Sequence, residues 1–498
     1  MTGTLFVDRL LAAPGRDPAR HEVALDIEGG RIAAIGAAKS PRRAGRIALP
    51  AMVNAHDHGY GVRPLALGGA DDALECWIAS LSRVTVEPRL EAAVAFGRMA
   101  LAGIGATVHC HNSLVADQLE SEAAGVALAA AEVGIRVAFS CPIRDRNPWV
   151  YGDQRALLPH LPPADRAAIE TTLTDGPPAH RLVEQVESIA AAHESELFQV
   201  QYGPVGPQWC RDATLERIAE ASAANDRRVH MHLLESWRQR EWLDATYPQG
   251  IVRFLDGIGL LSPRLTVAHG VHLTDDECAL MAERGVTVAV NTACNLRMRS
   301  GVAPVGRFMR HGLAFGFGLD GCAHDDDQDF FRDLRLAWRL HNGTGLEQAL
   351  PPSRLFDAAL RDGFRCIDGS DDYGAVAPGA RADVVVLDYA AMTEDFLTPE
   401  QDEVDIVLAR ATSSHVRDLF VAGRRVVDDG VLIGLDLPEA EREFMDRARR
   451  VAALDVEQTA RHRRRREGVR TYYAGRHHLD GRNGPSNDAV TDSASNRT

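Results

Sequence analysis

The chain has 498 residues, 45% hydrophobic and 25% charged, with a formal net charge of −15. That is a globular composition with room for a large core, and its acidic balance counts against nucleic acid or an anionic membrane, both of which are bound through an excess of basic groups. No uninterrupted apolar run of about 18 residues exists, and the N-terminal stretch lacks a basic region leading into a continuous apolar one, so a cytoplasmic protein with a small-molecule substrate is expected.

Among 55 basic residues Lys39 is the only lysine. A lone lysine remote from the motifs described below excludes a Walker-type phosphate lysine, a Schiff-base lysine for pyridoxal phosphate and a lysine carbamate bridging two metals. Eight cysteines are scattered without a C-x-x-C spacing, which reads as small apolar core filling rather than a disulfide framework.

Taken in order, residues 4–48 read as short strands with a Gly-Gly hairpin signal at 29–30, a small β unit. From residue 49 short apolar runs alternate with helical stretches: AMVNAH (51–56), IGATVHC (104–110), IRVAFS (135–140), LFQVQYG (197–203), RRVHMH (227–232), LTVAHG (265–270), VTVAVN (286–291) and AFGFGLD (314–320). Eight such runs predict an α/β chain built on a (β/α)8 TIM-type barrel over 49–371. The 144–196 connection is long for a βα loop and reads equally as a lid or as surface decoration. Residues 372–436 return to a hairpin-rich β pattern, predicted to join 1–48 in one small discontinuous β-sandwich. A charged helical segment follows over 437–479, its RHRRRR run read as a solvated helix end, and the tail 480–498 is too polar to fold.

In such a barrel the chemistry sits at the C-terminal strand ends. The first run ends in His56 and His58, the fifth in His230, His232 and then Glu235, the sixth in His269, and the eighth in Asp320. Any one His-x-His pair is close to chance in a chain with 19 histidines. Histidines and carboxylates closing four strands of one barrel are not, and such groups are typical ligands for a divalent cation.

This set resembles the amidohydrolase superfamily over nearly the full chain, and more narrowly the branch containing cytosine deaminase, guanine deaminase and the triazine chlorohydrolases. The matching elements are NAHDH, the H-x-x-E of His232 to Glu235, AHGVHL, GLDG and the N-x-x-x-N-L of NTACNLRMRSG, although Ala293 and Cys294 stand where the family usually has Pro and Ser. The resemblance implies one divalent metal, Zn2+ ahead of Fe2+, held by His56, His58, His232 and Asp320, with Glu235, His269 and Asp320 catalytic. The cation would lower the pKa of a water, Glu235 would move a proton to the leaving group, and His269 would polarise the electrophilic carbon or orient the water. The expected reaction is hydrolytic deamination of an aminated purine, pyrimidine, triazine or pterin-like ring. The alternatives are displacement of chloride, sulfur or an alkylamine, opening of a cyclic amide such as an imidazolone, and, more distantly, a non-catalytic binding barrel. Homo-oligomerisation is a family-level expectation.

Candidate substrate contacts are His109, His111, Gln201, Trp209, Arg297 and His324, with Tyr60 and Arg299 beside them; the alternatives are hydrogen bonds to neighbouring strands for His109 and His111 and a surface salt bridge for Arg297 and Arg299. His230 lies one layer deeper and reads either as a packed core histidine or as part of the site, and His272 as a capping or supporting group. Asp57, between two outwardly similar histidines, should point away from the metal and take a structural role.

Overall fold

A computed structural model describes residues 2–38, 45–81, 84, 86–113, 116–174, 176–398, 401–455 and 457–480. Lys39 and the tail from 481 lie outside the described residues. Each of the eight apolar runs forms a strand: β5 (Met52–Asp57), β6 (Ile104–Cys110), β7 (Arg136–Ile143), β8 (Phe198–Pro204), β9 (Val229–Leu233), β10 (Leu265–His269), β11 (Thr287–Val290) and β12 (Ala314–Phe317). They pair in sequence order, all parallel. The ring is completed at the top by the Asp320 amide, which donates to the His56 carbonyl (2.9 Å).

Alternation along the strands divides the core. Val229, Met231, Leu233, Leu265, Val267, Val288 and Val290 face outward into the main core with the surrounding helices, so His230, His232 and Ala289 face in. Small inward residues, Ala106, Ala138 and Ala289, leave room for the short helix Gly363–Asp368, whose Phe364, Cys366 and Ile367 join them in one buried cluster. Its close seat against β12 depends on two glycines, because a Cβ on Gly316 would lie 2.7 Å from the Gly363 Cα. This helix packs against five of the barrel strands and fills the barrel interior below the histidines.

Strands β1 (Thr2–Leu10), β2 (Arg20–Glu28), β3 (Arg31–Ala37) and β4 (Arg46–Pro50) form a second sheet with β13 (Val384–Asp388), β14 (Val416–Val421), β15 (Arg424–Asp428) and β16 (Val431–Leu432), in the order β16-β15-β14-β13-β4-β1-β2-β3. Chain ends that are far apart in sequence meet at the β4–β13 pairing, where Val386 lies opposite Ala48. Ala48, Val384, Val386 and Phe420 bury a separate small core on one face, and the alternate residues Ile47, Leu49, Val385, Leu387, Leu419 and Val421 pack into the barrel core. The fold is therefore the expected TIM-type barrel with a second β unit made from both ends of the chain.

The segment after residue 436 is two helices, Leu437–Ala453 and Gln458–Ala474. The arginine run lies within the second helix, not at its end. Arg464 pairs with Asp165 (2.7 Å), and Arg466 (2.8 Å) and Arg470 pair with Asp72. Asp165 and Asp72 belong to the connections after β7 and β5, so the run is a clamp on the barrel rather than a solvated end. Tyr472 and Tyr473 extend it, donating to the Tyr151 carbonyl (2.7 Å) and accepting from the Tyr151 amide (3.0 Å). All eight cysteines are buried and free, and among the described residues no helix is long and apolar enough to cross a membrane.

Candidate metal centre

The first strand does more than place two histidines. Its register against β6 shifts between Asn54 and Asp57, three steps on β5 matching two on β6 from Thr107 to His109. A bulge of this kind re-aims side chains. Val53 and Ala55 below it belong to the apolar interior, whereas His56 and His58 turn inward above it. Asn54 and Asp57 brace the irregularity, with Asn54 Nδ2 donating to Asp57 (2.8 Å), the Gly59 amide donating to Asp57 (2.7 Å) and the Leu319 amide donating to Asn54 (2.9 Å).

His56 Nε2 and His58 Nε2 lie 3.0 and 3.2 Å from Asp320 Oδ1. His232 Nε2 faces His58 Nε2 at 3.4 Å. His269 Nε2 lies 3.8 Å from Asp320 Oδ2 and 3.5 Å from Glu235. His269 thus enters the same donor group, with ligand atoms of His56, His232, His269 and Asp320 all within 4.8 Å of one another. Two of these residues, His269 (φ 74°) and Asp320 (φ 59°), sit in the left-handed backbone region, a strain that surrounding structure must hold and that clusters at functional sites.

Proton placement tests whether a cation fits. His58 Nδ1 faces the Cys110 carbonyl (2.9 Å) and His232 Nδ1 the Val205 carbonyl (2.8 Å). Carbonyls only accept, so both Nδ1 atoms carry a proton, and in the neutral rings both Nε2 atoms present lone pairs. At His269 Nδ1 the Asn295 Oδ1 acceptor lies at 2.9 Å and the Asn291 Nδ2 donor farther off at 3.3 Å, and the shorter contact makes the same assignment there. The Nε2 atom of His269 is buried without a hydrogen-bond partner among the described residues, and that of His56 faces the Asp320 carboxylate at 3.0 Å. Burial and the imidazoles of His56 and His58 hold His232 well below the usual imidazole range, and burial lowers His269 to about 4. Burial lowers His58 as well, but Asp320 outweighs it and raises that ring, so a proton there relieves one contact only. Several lone pairs and a carboxylate converging in a buried space fit a divalent cation. His56, His58, His232 and Asp320 would hold it, with His269 within reach.

Supporting groups are as specific as the donors. His56 Nδ1 meets His230 Nε2 at 2.7 Å and Cys110 Sγ at 3.3 Å. Glu235 is held through its amide, which donates to Gln239 Oε1 (2.7 Å). Burial, then Asp320 and Glu75, push its carboxyl well above the usual range.

The other candidates are placed elsewhere. His109 faces away from the barrel axis, between Phe96 and Phe139, and contacts His111 (3.2 Å), which pairs with Glu122 (3.0 Å). Gln201 donates to the carbonyls of Cys366 (2.8 Å) and Ile367 (2.9 Å), tying down the helix inside the barrel. Trp209 packs edge-on to Tyr151. Arg297 is consumed by Asp71 (2.9 Å), Asp326 (3.2 Å) and the Ala323 carbonyl (2.7 Å), and Arg299 pairs with Asp72 (3.3 Å). His324 is exposed. His272 packs edge-on to Trp237. Tyr60 stacks on His58 with ring centroids 5.6 Å apart, and its hydroxyl accepts from Asn112 (3.1 Å). His230, read either as core or as part of the site, supports it through His56, and Asn295 lies within the N-x-x-x-N-L motif, whereas the Val205 and Cys110 carbonyls carry no local signal.

Comparisons with known proteins agree with this architecture. The chain is 30% identical over 256 residues to the 5'-deoxyadenosine deaminase of Methanosarcina barkeri, a match covering 51% of this chain and 57% of that relative. Over 417 residues it is 26% identical to the 5-methylthioadenosine/S-adenosylhomocysteine deaminase of Desulforamulus reducens, covering 82% and 87%. Among solved structures, a zinc-bound adenosine deaminase from Xanthomonas campestris superposes with a TM-score of 0.71 at 23% identity, covering 90% and 98%. The atrazine chlorohydrolase of Arthrobacter aurescens, in complex with zinc, gives 0.72 at 20%, covering 89% and 99%. The model of the amidohydrolase family matches residues 47–426, most of the chain, and the protein belongs to that family.

Proposed function

We propose that the protein is a metal-dependent hydrolase that deaminates an aminated nitrogen heterocycle, replacing a ring C–NH2 by C=O and releasing ammonia. The observation that carries this reading is the convergence of the Nε2 atoms of His56, His58 and His269 on Asp320, with the buried Glu235 carboxyl 3.5 Å from His269. A divalent ion in that group supplies Lewis acidity and brings the pKa of a water toward neutrality. Glu235, held above the usual carboxyl range, takes a proton from the water and returns it to the departing amine, which requires reach to both atoms. His269, neutral at physiological pH, orients the water or the ring through Nε2.

The matched relatives act on adenosine derivatives, which makes an aminopurine nucleoside the first substrate class to test. Arg297 and Arg299 are both engaged by carboxylates of this chain, which favours a substrate without phosphate. The test is a screen for ammonia release from aminated purines, their nucleosides and nucleotides, pyrimidines, triazines and pterins, with Zn2+ and Fe2+ forms run in parallel. Turnover of an aminated ring is expected, nucleosides ahead of nucleotides. Release of chloride, sulfur or an alkylamine without ammonia from any aminated ring would replace the reading.

A further inference from the structure

Cys294 has no part in that chemistry, yet its thiol lies beside it. Cys294 Sγ, a Glu235 oxygen and an Asp320 oxygen form a second buried group of donors, all within 4.8 Å of one another. Asp320 belongs to both groups. No described side chain donates a hydrogen bond to the Glu235 carboxylate, although its side chain is only 7% exposed. Its contact with His269 Nε2, at 3.5 Å, meets a lone pair by the assignment above, so a carboxylate there receives no proton from that ring. Around the thiol, Leu74, Trp77, Met298 and Cys322 form an apolar cluster, which offers no cation.

We propose that Glu235, Cys294 and Asp320 form a second cation site for a thiophilic divalent ion, with Asp320 bridging it to the histidine-held ion. Binding forms one metal–sulfur bond and releases to solvent the thiol proton and any proton carried by the Glu235 carboxyl. Soft thiolate favours Zn2+ or Cd2+ over Mg2+. Filling the site silences the enzyme, because it takes Glu235 out of proton transfer. This last consequence rests on the role given to Glu235 above, whereas the binding itself does not.

The apoprotein is titrated with Co2+ and with Cd2+, and bound metal is followed by equilibrium dialysis beside the thiolate-to-metal charge-transfer absorption. In the native chain two equivalents are expected, with the absorption growing only with the second. Cys294→Ser and Cys294→Ala are expected to bind one equivalent with no such band, and Cys322→Ser to keep both equivalents and the band. Under Zn2+ titration the hydrolysis rate of the native chain is expected to rise with the first equivalent and fall about ten-fold or more with the second, and that of Cys294→Ser not to fall. One equivalent without a thiolate band in the native chain overturns the proposal and leaves the histidine site standing. So does a band that survives in Cys294→Ser or is lost in Cys322→Ser. A protein that binds no equivalent at all overturns both.

Discussion

At the scale of single residues, proton inventory decides what the site can do. Backbone carbonyls fix the protons of His58 and His232 on Nδ1, which turns a cluster of histidines into a set of ligands. Glu235→Gln keeps the shape and the hydrogen-bonding reach of the side chain but cannot exchange the proton. That variant is expected to retain bound metal, by elemental analysis, and to lose on the order of 10²-fold or more in turnover. Gly318 tests the backbone instead. A Cβ there would fall 2.5 Å from Asn291 Oδ1, 2.7 Å from the His56 carbonyl oxygen and 2.8 Å from the His56 nitrogen. Gly318→Ala is expected to cost about 1–3 kcal/mol of stability and to weaken metal binding by displacing His56, read by chemical denaturation and chelator competition. The candidate ligand types were legible in the sequence because they end strands. The bulge that aims His56 and His58 was not, because it is set by pairing with β6. A salt bridge was one of two readings for Arg297, but its partners Asp71 and Asp326 could not be named because they lie on two different loops.

At the scale of elements, the eight strands could be counted from apolar runs because each alternates with a helical stretch of different period. The C-terminal helices could not be read in the same way. Asp165 and Asp72 stand 299 and 394 positions from the arginines they hold, so an arginine run that looks free in sequence is spoken for in three dimensions. Each of those arginines is 32–40% exposed, so water screens each pair and a single one contributes little. The double variant Arg466→Ala/Arg470→Ala is expected to make the C-terminal helices more sensitive to limited proteolysis and to raise KM with little change in kcat. Unchanged proteolysis and KM would show that the clamp holds nothing that matters to substrate binding.

At the scale of the whole molecule, the barrel and the second sheet share one core face, and the barrel interior is filled by Phe364, Cys366 and Ile367. The metal group sits above that plug, on strand ends contributed by β5, β9, β10 and β12. A cation there ties four strands together and stabilises the folded chain by mass action, about 2.7 kcal/mol at a free concentration 100 times Kd. Stripping the metal is expected to lower Tm, with recovery on adding Zn2+ but not Mg2+. The account as a whole meets its sharpest test in one titration: apoprotein receives Zn2+ in sub-stoichiometric steps while ammonia release from an aminopurine nucleoside is recorded. The account predicts no release from the apoprotein and a rate that climbs linearly to a break at one equivalent. Ammonia released at full rate without metal, or a rate indifferent to added Zn2+ in a protein that binds it, would contradict it.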